Sequence, residues 1–102
     1  MNRERPPNRR AAETFEVEVN GLRYTATAGW FEDGRLAEIF LQNTKSASQS
    51  DNNARDSAVA ASLALQFGCP LETLQRALLR DSRDRPNTPL GAAIDFITRT
   101  QP

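Results

Sequence analysis

Two Asx-Gly dipeptides divide the N-terminal part of this 102-residue chain into three short apolar or alternating segments. Asn20-Gly21 joins the first segment to the second, and Asp33-Gly34 joins the second to the third. Such pairs accept the positive φ angles of a tight turn and therefore favour hairpins between antiparallel strands. The sequence thus predicts a three-stranded antiparallel meander, with strands over residues 13–19, 22–30 and 36–41.

Helical signals follow the strands. A polar loop over residues 42–53 leads into a long apolar segment, and Ser50 or Asp51 is the expected N-cap of that helix. Gly68 suits the end of the helix, and each of two further helices begins near a proline. Strands gathered before helices predict an α+β domain of order βββααα, with two to three helices packed on one face of the sheet. The later helices are expected over residues 70–80 and 88–97.

The first predicted helix carries two different apolar stripes. Val59, Leu63 and Phe67 form a bulky stripe that we expect to pack against the sheet. A stripe of small residues would let a second backbone approach closely, and one face of the sheet still needs cover. We therefore predict a homo-oligomer, with a dimer favoured and the small-residue stripe as its interface. The stripe consists of Ala54, Ala58 and Ala61.

The residues that are missing exclude much chemistry. The chain has no histidine, which removes the usual general base of nucleophilic catalysis and the usual ligand of zinc, copper and iron sites. No Gly-rich dinucleotide or P-loop string is present. The single Cys69 is expected to behave as a small hydrophobic residue, with a reactive thiol as the alternative. We expect no catalysis, no cofactor and no metal site.

Charge and hydropathy limit the partners. The 13 basic and 13 acidic residues cancel, so no overall field attracts nucleic acid or an anionic membrane. No apolar segment is long enough to span a membrane, and no secretory signal is recognisable. A lone cysteine cannot form an intramolecular disulfide, which agrees with a reducing compartment. The predicted location is cytoplasmic.

The first residues differ in composition from the rest. Residues 1–12 combine Pro6 and Pro7 with several arginines, a composition that cannot form a core of its own. We predict a flexible arm over residues 1–12 and one domain over residues 13–100.

Two blocks of sequence resemble a known family. The strings GWFEDGRLAEIFLQNTK at residues 29–45 and SLALQFGCPLETL at residues 62–74 are similar to the TSCPD domain, the C-terminal domain of adenosylcobalamin-dependent ribonucleotide reductases. The basic string at residues 7–10 and Asp95 also resemble positions of that domain. The string Thr-Ser-Cys-Pro-Asp that names the domain is absent, and Cys69 stands where valine is common.

The resemblance implies an ancestry and not an activity. Reductase chemistry requires a catalytic barrel and several cysteines, and this chain has one cysteine and no room for a barrel. The resemblance therefore implies a non-catalytic, stand-alone interaction or regulatory module linked to nucleotide metabolism, with a ribonucleotide reductase subunit as a candidate partner.

A phosphate site is the alternative function. The loop before the first helix would offer backbone N–H groups and the positive end of a helix dipole to a nucleotide or another phosphate compound. A solvated loop with a capped helix is the competing interpretation. The candidate ligand-binding residues are Arg9, Arg10, Arg35, Asn43, Lys45, Ser46 and Ser48.

Three further features have two interpretations each. Tyr24, Trp30 and Phe31 would form an aromatic platform for a base, or cover for the sheet. Glu38 lies in an apolar strand, and a cation such as Arg35 or Arg55 is its expected partner. The Gly-Pro junction between the first and second helices resembles a DNA-binding helix-turn-helix but lacks a basic surface, so nucleic acid is not a favoured partner. In that interpretation the exposed face of the second helix would contact DNA through Thr73, Gln75, Arg76 and Arg80.

Overall fold

The computed structural model describes residues 1–45 and 48–100. Its elements are β1 (Ala12–Val19), β2 (Leu22–Trp30), β3 (Leu36–Asn43), α1 (Gln49–Gln66), α2 (Leu71–Ala77) and α3 (Pro89–Thr100). The strands form one antiparallel sheet in the order β1-β2-β3. The predicted α+β class and βββααα order are therefore confirmed.

Both predicted Asx-Gly turns are present. Asn20 and Gly21 have φ angles of 54° and 77°, and Val19 pairs with Leu22 across this two-residue loop. Gly34 has a φ of 91° in the turn between β2 and β3. The first turn reverses the chain within two residues and the second within residues 31–35, so β1, β2 and β3 are neighbours in the sheet.

One face of the sheet forms the core. Tyr24, Ala26 and Ala28 alternate along β2 and are buried on this face. The helix α3 covers the face near β1, where the rings of Phe15 and Phe96 stack with centroids 4.2 Å apart. The opposite side of the sheet is called the open face below. It carries Thr14, Glu16, Glu18, Arg23, Thr25, Thr27, Gly29, Glu38, Phe40 and Gln42.

The helix α1 lies along the free edge of β3 and bonds to it through side chains. The Ser62 hydroxyl accepts from the Ile39 N–H at 2.9 Å and donates to the Ile39 carbonyl at 3.0 Å. The Gln66 amide donates to the Ala37 carbonyl at 3.0 Å. These bonds satisfy backbone groups that an edge strand otherwise offers to another strand.

The two stripes of α1 have the reverse of their expected positions. The alanine stripe is 1–3% exposed and packs on the chain's own sheet, so it is not free to contact a second copy. Val59, Leu63 and Phe67, which we expected on the sheet, are 57%, 39% and 40% exposed. A helix held against a strand by short side-chain bonds must approach closely, and alanine permits that approach.

The helix α2 is shorter than predicted. It ends at Ala77 because Leu78 is extended, with a ψ of 150°, and Arg80 then pairs with Pro86 in an isolated bridge. The Arg80 guanidinium donates to both carboxylate oxygens of Asp95 on α3, at 3.1 and 2.8 Å. This hydrogen-bonded guanidinium holds the pKa of Asp95 below its usual value.

Candidate functional site

The loop before α1 is closed by its own hydrogen bonds. Ser48, and not the predicted Ser50 or Asp51, is the N-cap: its hydroxyl accepts from the Asp51 N–H at 3.0 Å and donates to the Lys45 carbonyl at 3.0 Å. The Asn43 side-chain oxygen accepts from the Lys45 N–H at 2.8 Å. Ser46, also predicted to bind a ligand, lies outside the described residues.

A carboxylate already lies in the first turn of α1. Asp51 is 2% exposed, and its carboxylate accepts from the Asn43 N–H at 2.9 Å and pairs with Arg55 at 2.9 Å. A negative side chain in this turn complements the helix dipole that would otherwise attract a phosphate group. The geometry therefore favours the interpretation of a capped helix over that of a phosphate site.

Arg35 lies far from that loop. It precedes β3, whereas Asn43 ends it, and a strand of eight residues spans about 26 Å. Its guanidinium bonds to Asp33 at 2.7 Å and to Glu4 at 2.9 Å. The bond from Arg35 lowers the pKa of Asp33. The predicted ligand-binding residues are thus divided between two ends of the sheet.

A second cluster joins the N-terminal segment to the sheet. The Arg10 guanidinium donates to the carboxylate of Glu38, which is 8% exposed. Arg10, and not Arg35 or Arg55, is therefore the cation that partners this carboxylate. Gly29 lies directly opposite Glu38, and a Cβ at Gly29 would be 2.5 Å from the Glu38 Oε2 atom. The close packing of carboxylate on strand requires glycine at this position.

The first residues also contact the end of α1. The Arg3 guanidinium donates to the Gln66 side chain at 2.6 Å, and the Glu4 N–H donates to the Gln66 carbonyl at 2.8 Å. Gln66 therefore connects β3 to the N-terminal segment. Arg9, a predicted ligand-binding residue, is exposed. Nothing in the sequence pattern indicated that Gln66 has this connecting role.

The three aromatic residues are not assembled into a platform. Tyr24 and Phe31 are 4% and 5% exposed, so neither offers a free ring face. Trp30 is half-buried, and its indole Nε1 has no hydrogen-bond partner among the described residues. Tyr24 and Trp30 are six residues apart on one strand, or about 20 Å. The positions agree with the interpretation of sheet cover.

The helix-turn-helix interpretation receives little support from α2. Gln75, expected on the reading face, donates to Asp95 at 2.9 Å, and Arg80 also bonds to Asp95. Two polar side chains that would contact DNA are thus engaged within the chain. Arg76 pairs with Glu72 at 3.4 Å, where both side chains are exposed.

Among residues 1–45 and 48–100, no three His, Cys, Asp or Glu side chains cluster as metal ligands would. No helix in the described part of the chain is long and apolar enough to cross a membrane. Cys69 is a half-buried free thiol.

The open face carries a shallow groove at the side nearest α1. The groove has a volume of about 350 Å³ and runs between Phe40 on β3 and Val59 on α1. Phe40 is 53% exposed. The threonines of β2 and the Arg55 guanidinium complete its lining. The groove brings exposed apolar side chains of β3 and α1 together beside the sheet, and no sequence pattern indicated it directly.

Comparison with known proteins gives one consistent class of relatives. The chain is 40% identical over 70 residues to a vitamin B12-dependent ribonucleotide reductase of Agrobacterium fabrum, and 37% identical over 70 residues to that of Bradyrhizobium diazoefficiens. Each match covers 69% of this chain and 6% of the relative. A Streptomyces coelicolor reductase of the same name is 35% identical over 71 residues, covering 70% of this chain and 7% of its own. No family model and no solved structure matches.

Proposed function

Because this chain is related to a short segment of vitamin B12-dependent ribonucleotide reductases, as the blocks at residues 29–45 and 62–74 predict, we propose that it is a non-catalytic, oligomeric interaction module linked to nucleotide metabolism. The matched segment has the size of a small domain of the TSCPD type. The chain spans about 6% of the length of the first relatives it matches, so the activity of those enzymes is not transferred to it.

The main support for the proposal is where the residues of the two similar blocks lie in the fold. Ser62 and Gln66 fasten α1 to β3, and Glu38 packs over Gly29 and bonds to Arg10. These contacts fasten α1 and the N-terminal segment to the sheet. The part of the open face that Arg10 and Glu38 do not occupy remains as a surface for another protein, which is the property that an interaction module requires.

Binding to a reductase tests the proposal directly. The purified chain is immobilised, and a vitamin B12-dependent ribonucleotide reductase such as that of Agrobacterium fabrum is titrated over it. We expect saturable binding and an altered rate of ribonucleotide reduction by the enzyme. An unrelated α+β protein of equal size is the control. Ribonucleotide turnover by the purified chain alone, or no binding to the reductase, would contradict the proposal.

The nucleotide-binding alternative receives less support, because Asp51 already lies at the α1 N-terminus. Thermal denaturation with nucleoside di- and triphosphates distinguishes the two functions. A ligand that binds the folded state raises its stability by RT ln(1 + [L]/Kd). We expect no saturable shift for the chain or for Lys45→Ala. A shift that Lys45→Ala abolishes would favour the nucleotide function.

A further inference from the structure

The open face has the composition of a surface that another protein can bury. Phe40 and Val59 are more than half exposed, and Leu63 follows Val59 by one turn of α1. The hydroxyls of Thr14 and Thr27 bond to each other at 3.1 Å. Burial of these threonines would therefore leave one hydroxyl hydrogen to pair across the interface, which costs less than burying two unpaired hydroxyls.

The two sides of the open face carry opposite charges. Glu16 and Glu18 lie on β1, at one side, and Arg55 lies on α1, at the other side. Between them, Arg23 on β2 pairs with Glu16, and Glu38 on β3 is paired with Arg10. Glu16 pairs with Thr25, and Arg55 lines the same groove as Thr25, so the two charged residues are at the same level along the strands. The face is therefore complementary to a copy of itself rotated about an axis parallel to β2.

We propose that the open face binds a second copy of this chain, face to face, about a two-fold axis parallel to β2. In this arrangement β1 of one copy covers β3 and α1 of the other. Glu16 of each copy then faces Arg55 of its partner, and Phe40 faces the paired threonines. An axis across the strands would instead place β1 on β1 and oppose glutamates, which is unfavourable.

Arg55 has the donors that this arrangement needs. Its Nε atom bonds to Asp51 within the chain at 2.9 Å, and its side chain is 51% exposed. A guanidinium has five N–H donors in a planar fork, so the remaining nitrogens can bond to a partner carboxylate. Glu16 is 58% exposed on its side and makes only a 3.8 Å pair with Arg23.

The available area fits a reversible dimer. Three strands of about eight residues and the adjoining side of α1 present roughly 600 Å² per copy, which gives about 1,200 Å² in the pair, near the lower limit for specific interfaces. We therefore expect a dimer that dissociates at micromolar concentrations. The inference rests on the proposed function, because it names one partner of the interaction module.

Sedimentation equilibrium between 1 and 500 µM measures the association. We expect a mass of twice 11.3 kDa at the upper concentrations. Phe40→Glu should raise the dissociation constant at least about tenfold, since it places a charge in the centre of the interface. Leu79→Glu is the matched control, because Leu79 is 70% exposed but lies after α2, away from the sheet. A monomer at 500 µM, or a dimer unaffected by Phe40→Glu, would overturn the proposal.

A charge exchange tests the two-fold arrangement itself. Glu16→Arg and Arg55→Glu should each weaken self-association, and an equimolar mixture should recover a heterodimer in which both charge pairs are complementary. Circular dichroism establishes that each variant is folded. No recovery in a mixture of folded variants would overturn the arrangement. A chain that binds the reductase but stays monomeric would overturn the dimer and the oligomeric part of the proposed function, and would leave its interaction with the reductase standing.

A cross-link gives a second, independent readout if the charge variants do not fold. In a Cys69→Ser background, Thr27→Cys places a thiol near the proposed axis. Facing sheets are about 10 Å apart, so a bifunctional maleimide of that length should join two copies. Thr73→Cys, on α2, is the control position. Equal cross-linking at the two positions would contradict the proposal.

Discussion

The two edges of this sheet are protected in different ways. At the β3 edge, the side chains of Ser62, Gln66 and Asp51 bond to the strand and hold α1 beside it. The β1 edge has no strand beside it among the described residues, and its strand carries exposed glutamates. The first edge is closed by specific hydrogen bonds, and the second by charge.

Protection by hydrogen bonds and protection by charge affect the stability of the fold differently. Hydrogen bonds to a strand edge require partners at fixed positions on the helix, so losing one leaves a buried group unsatisfied. Charged side chains on an edge strand oppose pairing with other chains without contributing much to the stability of the fold. We therefore expect substitutions at the β3 edge to lower the free energy of unfolding, and substitutions at the β1 edge to change the association of the protein.

The largest effect is expected at Asp51. Asp51→Ala removes the acceptor of the Asn43 N–H and the partner of Arg55, and should lower the free energy of unfolding by about 3 kcal/mol. Asp51→Asn keeps an acceptor oxygen and should cost about 1 kcal/mol. Urea denaturation followed by circular dichroism measures both. Equal losses would show that the charge, and not the bond to the strand, is what matters.

A smaller loss of stability is expected at Ser62, at the centre of the same edge. Ser62→Ala leaves both the N–H and the carbonyl of Ile39 without this partner, and about 2 kcal/mol of stability should be lost. Ser62→Thr keeps the hydroxyl and should lose less. Amide hydrogen exchange of Ile39 should accelerate in the alanine variant. Unchanged exchange would mean that the bond does not protect the edge.

The pH dependence of stability tests the contact between Arg80 and Asp95. Because the pKa of Asp95 is lowered in the folded state, its contribution to stability is complete above about pH 4 and is lost as the pH falls through the folded-state value. Asp95→Asn should lose about 1.5 kcal/mol at pH 7 and approach the parent protein at low pH. Asp84→Asn is the exposed control. Urea denaturation of the parent protein and of Asp95→Asn at pH 7 and pH 2.5 measures the difference between their free energies of unfolding. The same difference at both pH values would contradict the prediction.

The smallest change in stability is expected at the β1 edge. Glu13→Val combined with Glu18→Val should alter the free energy of unfolding by no more than about 0.5 kcal/mol. Loss of these charges should nevertheless let β1 edges pair, so light scattering should detect large assemblies beyond a dimer. The same replacement at Glu32, in the turn before β3, is the control. If the double variant scatters light no more than the parent protein does, these charges do not prevent pairing at the β1 edge.

Local signals predicted the fold well. The Asn20-Gly21 turn and the strands beside it follow from residue preferences that act within a few positions, and they are present as expected. The end of α2 is different, because the residues after Ala77 favour helix locally. The bridge between Arg80 and Pro86 and the bonds to Asp95 override that preference, and they depend on contacts distant in sequence.

The contacts of the candidate site were harder to predict from the sequence than the fold. Alternation showed that Glu38 needs a cation, but its partner Arg10 comes from a segment with no regular pattern. The spacing of Val59, Leu63 and Phe67 indicated an apolar stripe without telling which side of α1 meets the sheet. The spacing of Ser62 and Gln66, four residues apart beside that stripe, is the signal that would have identified the β3 side.

Trp30 is the single tryptophan of the chain, so its fluorescence has one structural origin. Its backbone N–H donates to the Ala11 carbonyl, and its indole packs against the core at the end of β2. The emission of an unlabelled sample therefore reports on the packing of the core at this end of β2. Association through the middle of the open face leaves that indole where it is, so optical and hydrodynamic experiments observe separate events.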